Sequence, residues 1–176
     1  MRVRVCVPVR AKTVSGLVPL IERAEASGAD IVEVRLDYLD QLDRIYEIPE
    51  YASVPLIATN RQYEQGGFRS QDEEVRLRTL IEAAEAGFHY VDVELTAKGV
   101  ESIVSRLRDA GAKPIVSYHD FTRTPRMAEM EDIVEREIAV GAEVCKLVTT
   151  AKETPDSVIC LLLNLMFSDE TKIVCF

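Results

Sequence analysis

Residues 31–37 read IVEVRLD, a run in which Glu33, Arg35 and Asp37 alternate with Val32, Val34 and Leu36. Successive side chains of an extended chain point to opposite faces, so this strand has one apolar and one charged face. The same alternation recurs downstream. Asp92 and Glu94 share a face in YVDVEL, Ser117 and His119 share one in KPIVSYHD, and Lys146 stands alone among Val144, Cys145, Leu147 and Val148. If the apolar faces meet surrounding helices, the polar residues converge on the axis of a barrel. Charges gathered there need a reason.

Short β-branched runs of this kind occur at VRVCVPV, DIVEVRLD, VPLIATN, HYVDVEL, KPIVSYHD, VCKLVTTA and KIVCF. Between them lie stretches with helical periodicity, among them VSGLVPLIERAEASG, DEEVRLRTLIEAAEAG and VESIVSRLRDAG, most of which stop at Gly as helices commonly do. The connection over residues 37–53 is less regular. Strict alternation of strand and helix implies parallel pairing with right-handed crossovers, in an open doubly wound sheet or a closed barrel. The open sheet usually carries a Gly-rich phosphate turn after its first strand, and VPVRAKTVSG has none. The expected fold is therefore α/β, a (β/α)₈ TIM barrel forming a single domain over residues 1–176. Seven candidate strands are visible, whereas such a barrel takes about 250 residues. The chain is accordingly expected to be truncated within its seventh strand, without the eighth.

A formal charge of -9 and a sequence pI near 4.8 argue against nucleic acid, since neutralising phosphates needs clustered Lys and Arg. The same acidity disfavours anionic membranes, and neither a membrane-spanning run nor a secretory leader is recognisable. A cytoplasmic location is the default. Cys6, Cys145, Cys160 and Cys175 are scattered through apolar runs without the close pairing of zinc or redox motifs, so they read as small buried hydrophobes, with no metal implied.

His119 falls at the C-terminal end of its strand, where barrel enzymes place their active sites, whereas His89 precedes its strand and belongs to the opposite mouth. The bland reading of His119 is a hydrogen-bonded residue stabilising the loop HDFTRTP. Lys146 admits two readings. Desolvation would lower its pKa and free the amine to attack a carbonyl carbon, or it forms a salt bridge to an inward carboxylate such as Glu94 or Glu33. Glu33 could orient an imidazole, and Arg35 offers forked donors to substrate oxygens, unless the two merely form an internal ion pair. Arg61 ends the third strand and opens the loop QYEQGGFRS, whose glycines permit bending. It reads as an anion or polyol clamp under a flap.

EVRLD, the Arg-ended third strand with its Gly-Gly loop, VDVEL, SYHDF followed by TP, and the lysine of the sixth strand occur in the same order as in type I 3-dehydroquinate dehydratases, and the chain resembles that family over its whole length. The resemblance implies a cofactor-free conversion of 3-dehydroquinate to 3-dehydroshikimate through an imine. Lys146 would form the Schiff base and His119 would move the protons. Glu33 would assist His119 and contact substrate, while Arg35 and Arg61 would bind its oxygens. A homodimer is implied by analogy. In place of the family's usual Glu before Gly-Gly stands Gln65, which cannot carry charge. The family's further arginine, beyond the seventh strand, has no counterpart in these residues. Two other readings stand beside this one. One is a class I imine-forming aldolase. The other is a catalytically silent barrel that serves as a binding domain, its charges structural.

Overall fold

The computed structural model describes residues 4–176. Seven parallel strands, β1 (Cys6–Val9), β2 (Ile31–Arg35), β3 (Leu56–Thr59), β4 (Tyr90–Glu94), β5 (Lys113–His119), β6 (Val144–Val148) and β7 (Lys172–Cys175), pair in sequence order. Five helices cover them: α1 (Val14–Ala26), α2 (Glu73–Glu85), α3 (Val100–Asp109), α4 (Met127–Ala139) and α5 (Thr154–Phe167). The expected strand–helix alternation, and with it the barrel wall, is present. Among the described residues β1 pairs only with β2 and β7 only with β6, so the wall holds seven strands and no eighth.

Local chemistry explains where the helices begin and end. Thr13 caps α1 by accepting from the Gly16 N–H at 3.1 Å, and Asp72 caps α2 by accepting from the Glu74 and Val75 N–H groups at 3.0 and 3.1 Å. The chain leaves α1 to α4 through Gly28, Gly87, Gly111 and Gly141, all at positive φ, where a side chain would be strained.

The alternation read from the sequence sorts the strand residues into two cores. Val32, Val34, Ala58, Val91, Val93, Val116, Cys145 and Leu147 face outward and pack with Leu17, Ile21, Leu80, Leu107, Met130 and Leu163 of the helices. Each such aliphatic side chain contributes about 1.5–3 kcal/mol on burial. On the inner face a separate group, Ile57, Tyr90 and Ile115 with Ile31 and Val144, forms an apolar floor. The next inward positions up the strands are Glu33, Thr59, Asp92, Ser117 and Lys146. The floor thus sets the depth of a polar chamber that lies toward the C-terminal ends.

Two expectations need correction, those for Asp37 and Cys6, while the irregular connection is borne out. The second strand stops at Arg35, and Leu36–Tyr38 forms a 3₁₀ turn that takes Asp37 off the strand's inner face. The irregular connection holds a second 3₁₀ segment, Ile45–Tyr51, which buries Ile45 and Ile48 in the outer core. Cys6 is exposed on β1, unlike the other three cysteines.

Candidate active site

The inward charges of β2, β4 and β6 join with Arg61 into one alternating string; β3 stops at Thr59, so Arg61 lies in the loop just past the strand it was expected to end. Behind β4, Arg76 of α2 lies 2.7 Å from Glu94 Oε2 and donates at 2.8 Å to the Asn60 carbonyl. Glu94 Oε1 accepts from Arg61 Nη1 at 2.8 Å, and Arg61 Nη2 donates to Asp92 Oδ2 at 2.7 Å. That same Asp92 oxygen accepts from Lys146 Nζ at 2.9 Å, and Lys146 lies 3.8 Å from Glu33 Oε1. Ser117 ties the centre together, donating to Asp92 Oδ1 at 2.6 Å and accepting from Arg61 Nη1 at 2.8 Å. At its outer end Arg76 also pairs with Glu73 at 2.7 Å, so each cation of the string meets carboxylates on its way inward, which is how so many buried charges avoid an uncompensated desolvation cost.

This arrangement changes the reading of Lys146. Burial does push its pKa down, but Asp92 and Glu33 outweigh burial and the net shift is upward, so the resting side chain is an ammonium. The salt-bridge reading was right in kind, with Asp92 as the main partner in place of Glu94. Asp92 is held far below the ordinary carboxylate range, the arginine and the lysine overcoming its burial.

His119 sits one inward position beyond Ser117 on β5, at the mouth. Its pKa is lowered to about 3, first by burial and then by the field of Arg61, with Lys146 and Arg35 adding to it. The imidazole is therefore neutral. Its Nδ1 lies 3.3 Å from Gln65 Oε1, while Gln65 Nε2 donates to Thr96 Oγ1 at 2.7 Å. A carbonyl oxygen only accepts, so Nδ1 carries the ring proton and Nε2 is left as the basic nitrogen. Phe121 stacks on the ring with centroids 5.9 Å apart. The expectation that Glu33 orients His119 is thus corrected. Glu33 accepts from Thr59 Oγ1 at 2.7 Å and faces Lys146, and Gln65 takes the orienting place.

Arg35 pairs with Asp37 and not with Glu33, donating from Nε and Nη2 at 2.9 and 2.7 Å. Arg61 is fully buried, and both protons of its Nη1 are taken by Glu94 and Ser117. The loop after it is tied to the end of β2. Gly66 O accepts from Arg35, Phe68 N–H donates to Asp37, and a Cβ at Gly67 would stand 2.2 Å from the Arg61 carbonyl oxygen. Gly67 thus serves close packing, while Gly66, at φ +86°, supplies a left-handed turn. His89 lies at the opposite mouth, as expected, accepting from the Leu56 N–H at Nδ1.

Sequence reasoning singled out Lys146, His119, Glu33, Arg35 and Arg61, and the structure brings all five to one end of the sheet. It missed Asp92 and Asp37 as members of the site, although both were visible in the alternation, and it missed Arg76. The signal for Arg76 was its place on the buried stripe of α2 with Leu80, Ala83 and Ala84. Among the described residues no group of three His, Cys, Asp or Glu side chains could hold a metal ion, and no helix is long and apolar enough to cross a membrane.

Fold and site together define a parallel βα-barrel enzyme with a lysine at the heart of its sheet and a neutral imidazole at the C-terminal mouth. Comparison with known proteins narrows this class. The family model for type I 3-dehydroquinase matches residues 5–172. The 3-dehydroquinate dehydratase of Methanococcus vannielii is 34% identical over 154 residues, covering 86% of this chain and 69% of that protein. That of Methanococcus maripaludis is 35% identical over 173 residues, covering 97% and 77%. A crystal structure of the type I enzyme from Clostridium difficile with covalently modified comenic acid superposes with a TM-score of 0.91 at 24% identity, over 99% of this chain and 75% of that one. The chain belongs to the type I 3-dehydroquinase family, a family of hydro-lyases.

Proposed function

We propose that this protein dehydrates 3-dehydroquinate to 3-dehydroshikimate through a Schiff base on Lys146. The observation that carries the reading is the pairing of a deep amine with a neutral imidazole one inward position further up the neighbouring strand. Lys146 first sheds a proton, since Asp92 and Glu33 keep it charged at rest. The free amine adds to the C3 ketone and water is lost. A protonated imine withdraws electrons more strongly than the ketone, so the C2 proton becomes acidic enough for His119 Nε2 to take. The electron pair left at C2 then expels the C1 hydroxyl, which leaves as water with the proton His119 returns. Hydrolysis of the imine frees product and amine.

The other side chains have supporting places. Glu33 stays beside Lys146 as the counter-charge for the iminium and as a contact for substrate. Arg35 meets substrate oxygens at the mouth, and Arg61 adds positive charge from beneath. The neutral His119 suits a base that must accept a proton before it donates one.

Incubation with 3-dehydroquinate and borohydride, followed by peptide mapping, tests the proposal. A reduced adduct on Lys146, abolished in Lys146→Ala, is the expected result. A protein that turns substrate over without any trappable adduct would refute the imine.

A further inference from the structure

Asp37 has the contacts of a latch. Its side chain is fully buried. Two of its three acceptor contacts come from Arg35, and the third is the Phe68 N–H at 2.9 Å on Oδ2. Around this hub four further contacts join the end of β2 to the loop over residues 62–71. Arg35 Nη2 donates to the Gly66 carbonyl at 3.1 Å, Arg69 Nε donates to the Asp37 carbonyl at 2.8 Å, and Arg69 Nη2 donates to the Leu39 carbonyl. The Tyr38 and Phe68 rings stack at 4.4 Å. The start of the loop is held separately, by the Gln62 N–H on Glu94 Oε1 at 3.0 Å. Between those two anchors lies Gln65, whose amide oxygen is the hydrogen-bond partner of His119 Nδ1.

We infer that Asp37 is a positioning residue that clamps Arg35 and the 62–69 loop to each other, and so holds Gln65 against His119 in the one orientation that leaves Nε2 basic. Its carboxylate suits the task because it only accepts, and it receives three N–H donors that no neutral side chain of its shape could all satisfy. The loop's place thereby depends on a charge in the preceding strand connection. The inference rests on the proposed proton-moving role of His119, and its test separates the two.

In Asp37→Asn the amide NH2 must replace either Oδ1, which faces Arg35 Nε, or Oδ2, which faces both Arg35 Nη2 and the Phe68 N–H, and the charge that holds the guanidinium is lost while the volume is kept. Amide hydrogen exchange, read without substrate, should rise at least tenfold at residues 66–69 and stay unchanged in Val116 and Leu147 of the sheet. Turnover should fall at least tenfold in kcat, while the rate of borohydride trapping at Lys146 stays within twofold of the parent. Gly67→Ala, which leaves Asp37 intact and drives a Cβ into the Arg61 carbonyl, should give the same pattern by displacing the same loop. Unchanged exchange at Phe68, exchange raised evenly across the sheet in both variants, or trapping that falls in step with turnover would overturn the latch. If the parent protein neither traps nor turns over 3-dehydroquinate, the functional reading fails, and the exchange measurement alone still decides the clamp.

Discussion

Replacing Glu137 with Gln takes a titration out of the barrel wall and leaves the side-chain shape almost unchanged. Glu137 lies on the buried side of α4, is wholly inaccessible, and has no hydrogen-bond partner on either carboxylate oxygen. Burial, reinforced by the Asp92 charge, raises its pKa well above the ordinary carboxylate range, and the contributions of Cys145 and the Lys146 backbone that oppose this are smaller. The folded protein therefore keeps a proton that the unfolded chain releases above about pH 4.3. With the folded pKa raised, the group favours folding most at low pH, and that contribution is lost as pH rises toward the folded pKa. The slope is about 1.4 kcal/mol per pH unit while the buried acid stays protonated. Glu137→Gln removes this slope. Relative to the parent, its stability should therefore climb with pH above about pH 5, at up to about 1.4 kcal/mol per pH unit. Glu137→Leu should share the slope and add about 1–3 kcal/mol at every pH, because it also removes the unsatisfied polar atoms. Urea unfolding at pH 5.0, 5.75 and 6.5 is the assay. A stability difference that does not change with pH, or one that shrinks as pH rises, would show that Glu137 is ionised in the fold and refute the reasoning.

Asp92→Asn leaves Arg61 to Glu94 and leaves Lys146 with only Glu33 at 3.8 Å. It should cost about 3–5 kcal/mol in urea unfolding and move the onset of borohydride trapping to lower pH, since the strongest support for the ammonium is gone; an unmoved onset would count against the Asp92–Lys146 pair. Gln65→Glu puts a carboxylate 3.3 Å from the imidazole and should raise the His119 pKa from about 3, followed by proton NMR of the ring; a titration that stays put would mean the two side chains do not meet in solution. His119→Ala should lower kcat about 10²–10⁴-fold, the usual span for general acid–base catalysis, with the Lys146 adduct still trapped in mass spectrometry; unchanged turnover would remove His119 from the proton transfers.

What the alternation in IVEVRLD and YVDVEL disclosed was which face each residue takes, because strand geometry alone decides that. It could not disclose partners. Glu33 and Arg35 stand two apart on one face and read as a possible ion pair, yet the strand ends at Arg35 and the 3₁₀ turn swings Asp37 back onto the guanidinium. The sign of the Lys146 shift was out of reach for a related reason. Burial could be inferred from VCKLV, but its outcome depends on Asp92, 54 residues earlier, and on how Arg61 and Ser117 hold that carboxylate. The Gly66-Gly67 pair shows the same limit from the side of sterics. Glycine is chosen both where a chain must bend and where another backbone must come close, and only the 2.2 Å approach to the Arg61 carbonyl separates the two at Gly67. His119 was legible since its position at a strand end is local, whereas the atom that sets its tautomer arrives on a loop 54 residues away. The chemistry of the site therefore lies in its partners more than in its members. An amine held charged by two carboxylates and an imidazole held neutral by burial and a neighbouring guanidinium are opposite settings of the same chamber, and the amine must lose its proton before any imine can form.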